Sequence, residues 1–132
     1  MFEFGKQSEK NLLGVHPDLV SLCRRALEIT NVDFGILCGL RTPEEQADLV
    51  RKGASKTYNS RHLTGHAIDF GVYVEGKYIN GDTPGEYRLY ELVADAFAVA
   101  SLELKTPIVW GGEWKHFKDG GHIELSRRKY PA

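Results

Sequence analysis

The sequence predicts a single α+β domain with a small, mainly antiparallel sheet and helices packed on it. Three observations carry that expectation. Apolar residues recur at helical spacing over 17–30 and again over 86–104. Short apolar runs are scattered between the helices rather than alternating regularly with them. One such run, Ala67 to Val74, is followed by Glu75-Gly76 and a second short run, which is a hairpin pattern.

The first helix runs from Pro17 to about Thr30 on the stripe Leu19, Val20, Leu22, Cys23, Ala26, Leu27 and Ile29. Pro17 suits a first turn, where no N–H is needed, and Asp18 faces the positive end of the helix dipole. Asp33 to Cys38 reads as a short buried strand. Thr42-Pro43-Glu44-Glu45 is a helix start: Thr42 caps, Pro43 takes the first position and Glu45 completes a capping box. That helix is expected to reach about Lys52 and stop at Gly53. The polar, turn-rich stretch from Ala54 to Gly65 is a loop. The strand Ala67–Val74 turns at Glu75-Gly76 into a return strand at Lys77-Tyr78-Ile79. Pro84-Gly85 is read as a break. The longest helix then runs from about Glu86 to Leu104, with Leu89, Leu92, Val93, Ala96, Phe97 and Ala100 on one face. Pro107 to Trp110 and His122 to Leu125 are short final strands.

The 132 residues suit one domain, and a chain of this size buries about two thirds of its unfolded surface. Apolar residues make up 42% and charged residues 27%, a globular balance. Seventeen Lys and Arg against eighteen Asp and Glu argue against a nucleic-acid partner held by bulk charge. No apolar run approaches the roughly 20 residues of a membrane span, so no membrane insertion is expected. The start, Met1 to Lys6, lacks a basic segment followed by an apolar stretch, and no export signal is expected. Cys23 and Cys38 lie in apolar surroundings and read as buried free thiols. Arg127-Arg128-Lys129 reads as a solvated basic end.

The chemistry centres on five histidines: His16, His62, His66, His116 and His122. Zn²⁺ binds neutral imidazole and carboxylate well, so histidines that can meet a carboxylate stand apart. In Ser60-Arg61-His62-Leu63-Thr64-Gly65-His66-Ala67-Ile68-Asp69, Asp69 interrupts an apolar strand. A carboxylate there is costly unless compensated, and a metal would compensate it; a solvent-facing strand residue is the plain alternative. In Asp119-Gly120-Gly121-His122, a histidine opens a strand three residues after an acid. That spacing suits a third ligand beside a proton-accepting carboxylate, or else merely a turn before an edge strand. His62 and His66 have the spacing of a helical zinc pair, but position 63 is Leu and Gly65 intervenes, so His66 reads as a neighbour. His16 reads as a helix-start residue, and His116 as exposed or groove-lining.

Ser60-x-His62-x-x-Gly65-x-Ala67-x-Asp69 followed by Asp119-x-x-His122 resembles the zinc D,D-carboxypeptidase and L,D-endopeptidase (VanY-like) group. That group includes phage endolysins and shares the hedgehog/D-Ala-D-Ala-peptidase-like fold. Phe4 to Lys10, Arg24 to Glu28, Gly39-Leu40-Arg41-Thr42 and Asp119 to His122 are similar to phage L-alanyl-D-glutamate endopeptidases in particular. The resemblance implies Zn²⁺ held by His62, Asp69 and His122, with Asp119 as catalytic carboxylate. It also implies Arg41 over the site, stabilising an oxyanion or binding a substrate carboxylate, and Ser60 as the signature serine on the substrate side. Many relatives have Glu where Asp119 stands, and Asp reaches less far. Gly120-Gly121 favours the endopeptidase branch over the D,D-carboxypeptidases. The short, mostly non-acidic run from Trp110 to Lys118 gives no reason to carry over calcium regulation.

The resemblance implies hydrolysis of the L-alanyl-D-glutamate bond in the peptidoglycan peptide stem, with Trp110, Trp114 and Tyr58 either as groove walls or as plain packing residues. A monomer without a separate wall-binding domain is expected, held in the host cytoplasm until released to the wall. The rival readings are release of terminal D-alanine, a non-catalytic zinc-containing module of the same fold, and a metal-free structural protein.

Overall fold

The structure, a computed structural model, describes residues 2–114 and 119–131. Its strands are β1 (Asp33–Cys38), β2 (Ala67–Val74), β3 (Lys77–Ile79), β4 (Ile108–Trp110) and β5 (His122–Leu125). They form one sheet of order β1-β2-β5-β4, with β3 also on β2, and every pairing is antiparallel. β2 is the organising strand. β1 lies along one side; on the other, β5 pairs with Ala67–Asp69 and β3 with Val72–Val74. The β2–β3 hairpin turns through Glu75 and Gly76, both at positive φ (51° and 80°). That is the backbone twist two-residue hairpin turns require.

The helices are α1 (Lys6–Asn11), α2 (Pro17–Ile29), α3 (Pro43–Arg51) and α4 (Pro84–Leu104). α2 and α4 pack on each other and close one face of the sheet. The core comprises Leu19, Leu22 and Cys23 of α2, Val93 and Phe97 of α4, and the inward residues of β1, β2 and β5. At its centre Phe34, Phe70 and Phe97 meet with ring centroids 5.3–5.7 Å apart, a spacing at which aromatic pairs add to plain area burial.

The α+β class, its antiparallel sheet and the capping box of Thr42 and Glu45 match the sequence reading. Four details differ. α1 is too short for periodicity to reveal; Ser8 Oγ accepts from Ile36 N (3.0 Å) and Asn11 Nδ2 donates to Ile36 O (2.7 Å), so tertiary contacts hold it. Pro84 begins α4 rather than breaking the chain before it, because Thr83 caps from outside and a first-turn Pro needs no donor. Leu92 faces out at 37% exposure while Tyr90 and Ala94 are buried, rotating the inner face of α4. β1 is half-buried rather than buried, with Leu37 bulged out at 43% exposure.

Phe97→Ala is expected to cost about 3–5 kcal/mol of unfolding free energy, the usual range for an aromatic truncated in a packed core. Urea denaturation followed by circular dichroism checks this, and a loss below about 1 kcal/mol would contradict the packing described.

Candidate active site

Asp69 sits on β2 opposite Cys38 of β1 on one side and His122 of β5 on the other. Three adjacent strands therefore set three reactive side chains in a row. The irregular register between Ile36 and Cys38 is what brings Cys38 level with Asp69. His62 joins the row from a 3-10 turn, Arg61–Thr64, inside the stretch the sequence reads as loop. Ser60 Oγ caps that turn by accepting from His62 N (3.2 Å). Gly65 ends it at φ +74°, where a Cβ would stand 2.6 Å from the Gly14 carbonyl oxygen, so only glycine fits.

Asp119 arrives on the turn before β5. Its backbone N–H donates to Gly111 O (3.1 Å), Trp110 Nε1 donates to Gly120 O (2.7 Å), and Phe70 N donates to Gly121 O (2.8 Å). A Cβ at Gly121 would collide with the Phe70 carbonyl, so the turn presses directly on β2.

The geometry converges on Asp69. Its Oδ1 is 3.1 Å from His122 Nδ1, and its Oδ2 is 3.3 Å from His62 Nε2 and 3.4 Å from Arg41 Nη2. The Asp69, Asp119 and His122 donor atoms lie within 4.8 Å of one another. The outer partners assign the tautomers. His62 Nδ1 meets Gly39 O at 2.8 Å, and a carbonyl can only accept, so Nδ1 carries the hydrogen. His122 Nε2 meets Glu124 Oε1 at 2.8 Å, which places its hydrogen on Nε2. In the neutral rings, both lone pairs then face the Asp69 carboxylate. Lone pair against carboxylate is repulsive unless a proton or a cation lies between them. His62 Nε2 is moreover buried, with no aligned hydrogen-bond partner. These donors fit a divalent cation, and the Gly39 carbonyl and Glu124 stand where outer partners would orient the imidazoles toward one.

Without a cation, protons take its place. Burial pushes His62 down, but Asp69 and Cys38 override it and raise it to about 10. Burial likewise opposes the charge on His122, and Asp69 with Glu124 raises it to about 9. Burial would raise Asp69, yet its two histidine partners hold it well below the usual carboxylate range. Asp119 moves the other way: burial and the nearby Asp69 charge raise it, the direction a proton-accepting carboxylate needs.

Arg41 follows β1 and precedes α3. Its Nη1 donates to Gln46 Oε1 (2.6 Å), and its Nη2 approaches Cys38 Sγ (3.3 Å) as well as Asp69. Gln46, 1% exposed, also donates to Ser55 Oγ (2.9 Å) and Thr57 O (2.6 Å). One amide thus locks the arginine to the loop beside it. Arg41, Ser60, His62, Asp69, Asp119 and His122 all line one cavity of about 510 Å³. Trp114 lines it too, its ring 4.9 Å from that of His122. Tyr58 is exposed and does not line it, and Trp110 braces the Asp119 turn instead. His66 lies apart, 2.7 Å from Thr64 Oγ1 and packed on His16, and His16 caps α2 by accepting from Asp18 N (3.1 Å). His116 lies outside the described residues.

Sequence reasoning missed three residues here. Cys23 is buried as expected, but Cys38 is only partly buried, with its Sγ 3.8 Å from His62 Nδ1. Its Sγ, a His62 ring nitrogen and an Asp69 carboxylate oxygen lie within 4.8 Å of one another, so Cys38 belongs to a second group that could hold a cation. Glu124 follows His122 by two, the spacing that puts both on one face of a strand, and that period was the available signal. Gln46 had none, because its partners come from a loop.

The sequence profile of the phage L-alanyl-D-glutamate peptidase family matches residues 1–128, and the chain belongs to that family. It is 37% identical over 138 residues to the L-alanyl-D-glutamate peptidase of Escherichia phage T5, covering 94% of this chain and 98% of that one. The crystal structure of the Serratia marcescens L-Ala D-Glu endopeptidase ChiX matches at 43% identity with a TM-score of 0.88, over 98% of this chain and 95% of that one. The single-domain α+β architecture is common to both. The Bacillus subtilis (strain 168) peptidoglycan L-alanyl-D-glutamate endopeptidase CwlK is 30% identical over 109 residues, covering 71% of this chain and 61% of that one.

Two outcomes are expected. Glu124→Ala weakens metal binding about 10–100-fold in competition with a chelating dye, since His122 loses its orienting partner. In chelator-treated protein, the raised histidines contribute stability that is fully present below about pH 6.5, their unfolded value, and lost as pH rises through about 9 to 10. Asp69 contributes its share above about pH 4. Thermal melts of the metal-free protein should therefore peak between these limits and fall toward pH 10; a flat profile above pH 6.5 would contradict proton bridging.

Proposed function

We propose that this protein is a zinc-dependent endopeptidase that hydrolyses the L-alanyl-D-glutamate amide of the peptidoglycan peptide stem. The observation that carries the reading is the pair of oriented imidazoles turned onto Asp69 with Asp119 beside them, in a chain of this family. The names of the T5, Serratia and Bacillus relatives support the bond assignment.

His62, Asp69 and His122 would hold the zinc, since two imidazoles and one carboxylate are a donor set that catalytic zinc sites use with a position left for water. When bound, zinc supplies Lewis acidity that lowers the pKa of water and polarises a carbonyl. Asp119 takes one proton from the attacking water as the new C–O bond forms. It returns that proton to the D-glutamate nitrogen as the C–N bond breaks, leaving an L-alanyl carboxylic acid and an amine; the acid's remaining water proton then passes to the amine or to solvent, giving carboxylate and ammonium. Arg41, held by Gln46, presents its guanidinium to negative charge beside the scissile bond, on the oxyanion or on a substrate carboxylate. Ser60 lines the same cavity and contributes a hydroxyl toward the stem. Glu124 acts through His122 by fixing its tautomer. We further propose that the protein acts as a monomer and stays in the host cytoplasm until it is released to the wall, a setting in keeping with a phage peptidase family.

Asp119→Asn is expected to keep its zinc and lose about 10²–10⁴-fold in activity, while His122→Ala loses both. Metal analysis and digestion of purified peptidoglycan read by mass spectrometry check this. New N-terminal D-glutamate that disappears with chelator supports the assignment. Free D-alanine would move the protein to the carboxypeptidase reaction, and full activity of Asp119→Asn would remove that residue from its role.

A further inference from the structure

The site has a second side. A separate cavity of about 390 Å³ also touches Asp69 and Asp119 but opens toward the β2–β3 hairpin and α4. The two cavities meet at the catalytic row and differ in chemistry. The first is bordered by Arg41, Arg61 and Arg127. The second has three tyrosines, Tyr78, Tyr87 and Tyr90, the bulged Leu37, and Asn80 and Asp82, with no Lys or Arg among its described lining residues.

Three features mark this cavity as built for a ligand. The Tyr87 hydroxyl is buried without a hydrogen-bond partner in the described structure, a state that costs stability unless something completes it. Its ring is held by stacking on Trp110 (centroids 6.4 Å apart), and a Cβ at Gly120 would come within 2.9 Å of that ring. Tyr78 is 51% exposed and Leu37 43%, two apolar surfaces at the cavity edge. Asn80 Oδ1 accepts from Asp82 N (3.0 Å), which fixes the amide and leaves its nitrogen to donate outward.

We infer that this cavity is an amino-sugar subsite, taking the N-acetylated, lactyl-bearing pyranose that precedes L-alanine in the peptidoglycan stem. The inference rests on the proposed reaction. Aromatic faces pack on the C–H faces of a pyranose, amide and carboxylate groups pair with its hydroxyls, and an exposed Leu accepts an acetyl methyl. Charge sets the direction. The D-glutamate side of the bond carries carboxylates, which Asp82, an acid of the second cavity alone, repels and the arginines of the first cavity attract. The L-alanine side leads within one residue to the sugar, so the sugar falls in the tyrosine cavity.

The test compares kcat/KM for a disaccharide-tetrapeptide with that for the same tetrapeptide without sugar, on zinc-loaded protein. The wild type is expected to prefer the glycosylated substrate about tenfold, and Tyr87→Phe and Asn80→Ala each to bring that ratio toward one. Asn80 is exposed, so its variant keeps the test valid if Tyr87→Phe is poorly folded. N-acetylmuramoyl-L-alanine should also inhibit the wild type competitively, and less so the variants. A wild-type ratio near one, or a ratio that neither variant changes, overturns the subsite while leaving the peptidase reading intact. Cleavage of neither substrate overturns both.

Discussion

Asp69 is the constraint on which the rest depends. It is a carboxylate in the central strand, flanked by the buried Ile68 and Phe70, with 24% of its side chain exposed. Such a group is costly unless compensated. Here the compensation comes from His62, His122 and Arg41, each within 3.4 Å. The sheet exists in a form that brings those partners in: β5 pairs with β2 so that His122 faces Asp69, and the bulge in β1 leads the chain toward Arg41. One residue thus links the stability of the sheet to the chemistry of the site.

Around that centre lies a set of residues that act by holding others. Gly39 O and Glu124 set the two imidazole tautomers, Gln46 ties Arg41 to the neighbouring loop, and Trp110 braces the Asp119 turn. Most of the polar groups lining the cleft therefore sit on strands or on turns bonded to strands, where small displacements are resisted by packing. Asp119 differs in kind from the other carboxylate: two acids within reach of each other are pushed in opposite directions, Asp69 down by its histidines and Asp119 up by burial and by Asp69. Those opposed environments support the proposed division of labour between a charge-holding carboxylate and a proton-accepting one.

The two cavities that meet at this row give the cleft a direction. Arginines border one and tyrosines with an amide and a carboxylate border the other. A stem peptide is itself asymmetric, acidic beyond the cleaved bond and glycosylated before it. On the proposed subsite assignment, these matching asymmetries would let a small domain orient its substrate with few contacts.

Much of this was legible in the sequence because it is local. The capping box at Thr42, the apolar stripe of α2, the hairpin at Glu75-Gly76 and the lone carboxylate in the Ala67–Val74 run are each visible within a few residues. The spaced His, Asp and His marked out, before any fold was known, residues that the structure brings together. What only the tertiary structure decided is what long-range contacts create. α1 is held by β1, Pro84 is licensed by the Thr83 cap, and Cys38 enters the site through a bulge. Glu124 acquires its role from the direction of an imidazole, and Gln46 from a loop that returns nine to eleven residues later. Local pattern determines which segments form and which residue types are available. Register and packing decide which of those residues meet, because a side chain's partners across strands are set by distances that sequence spacing does not encode.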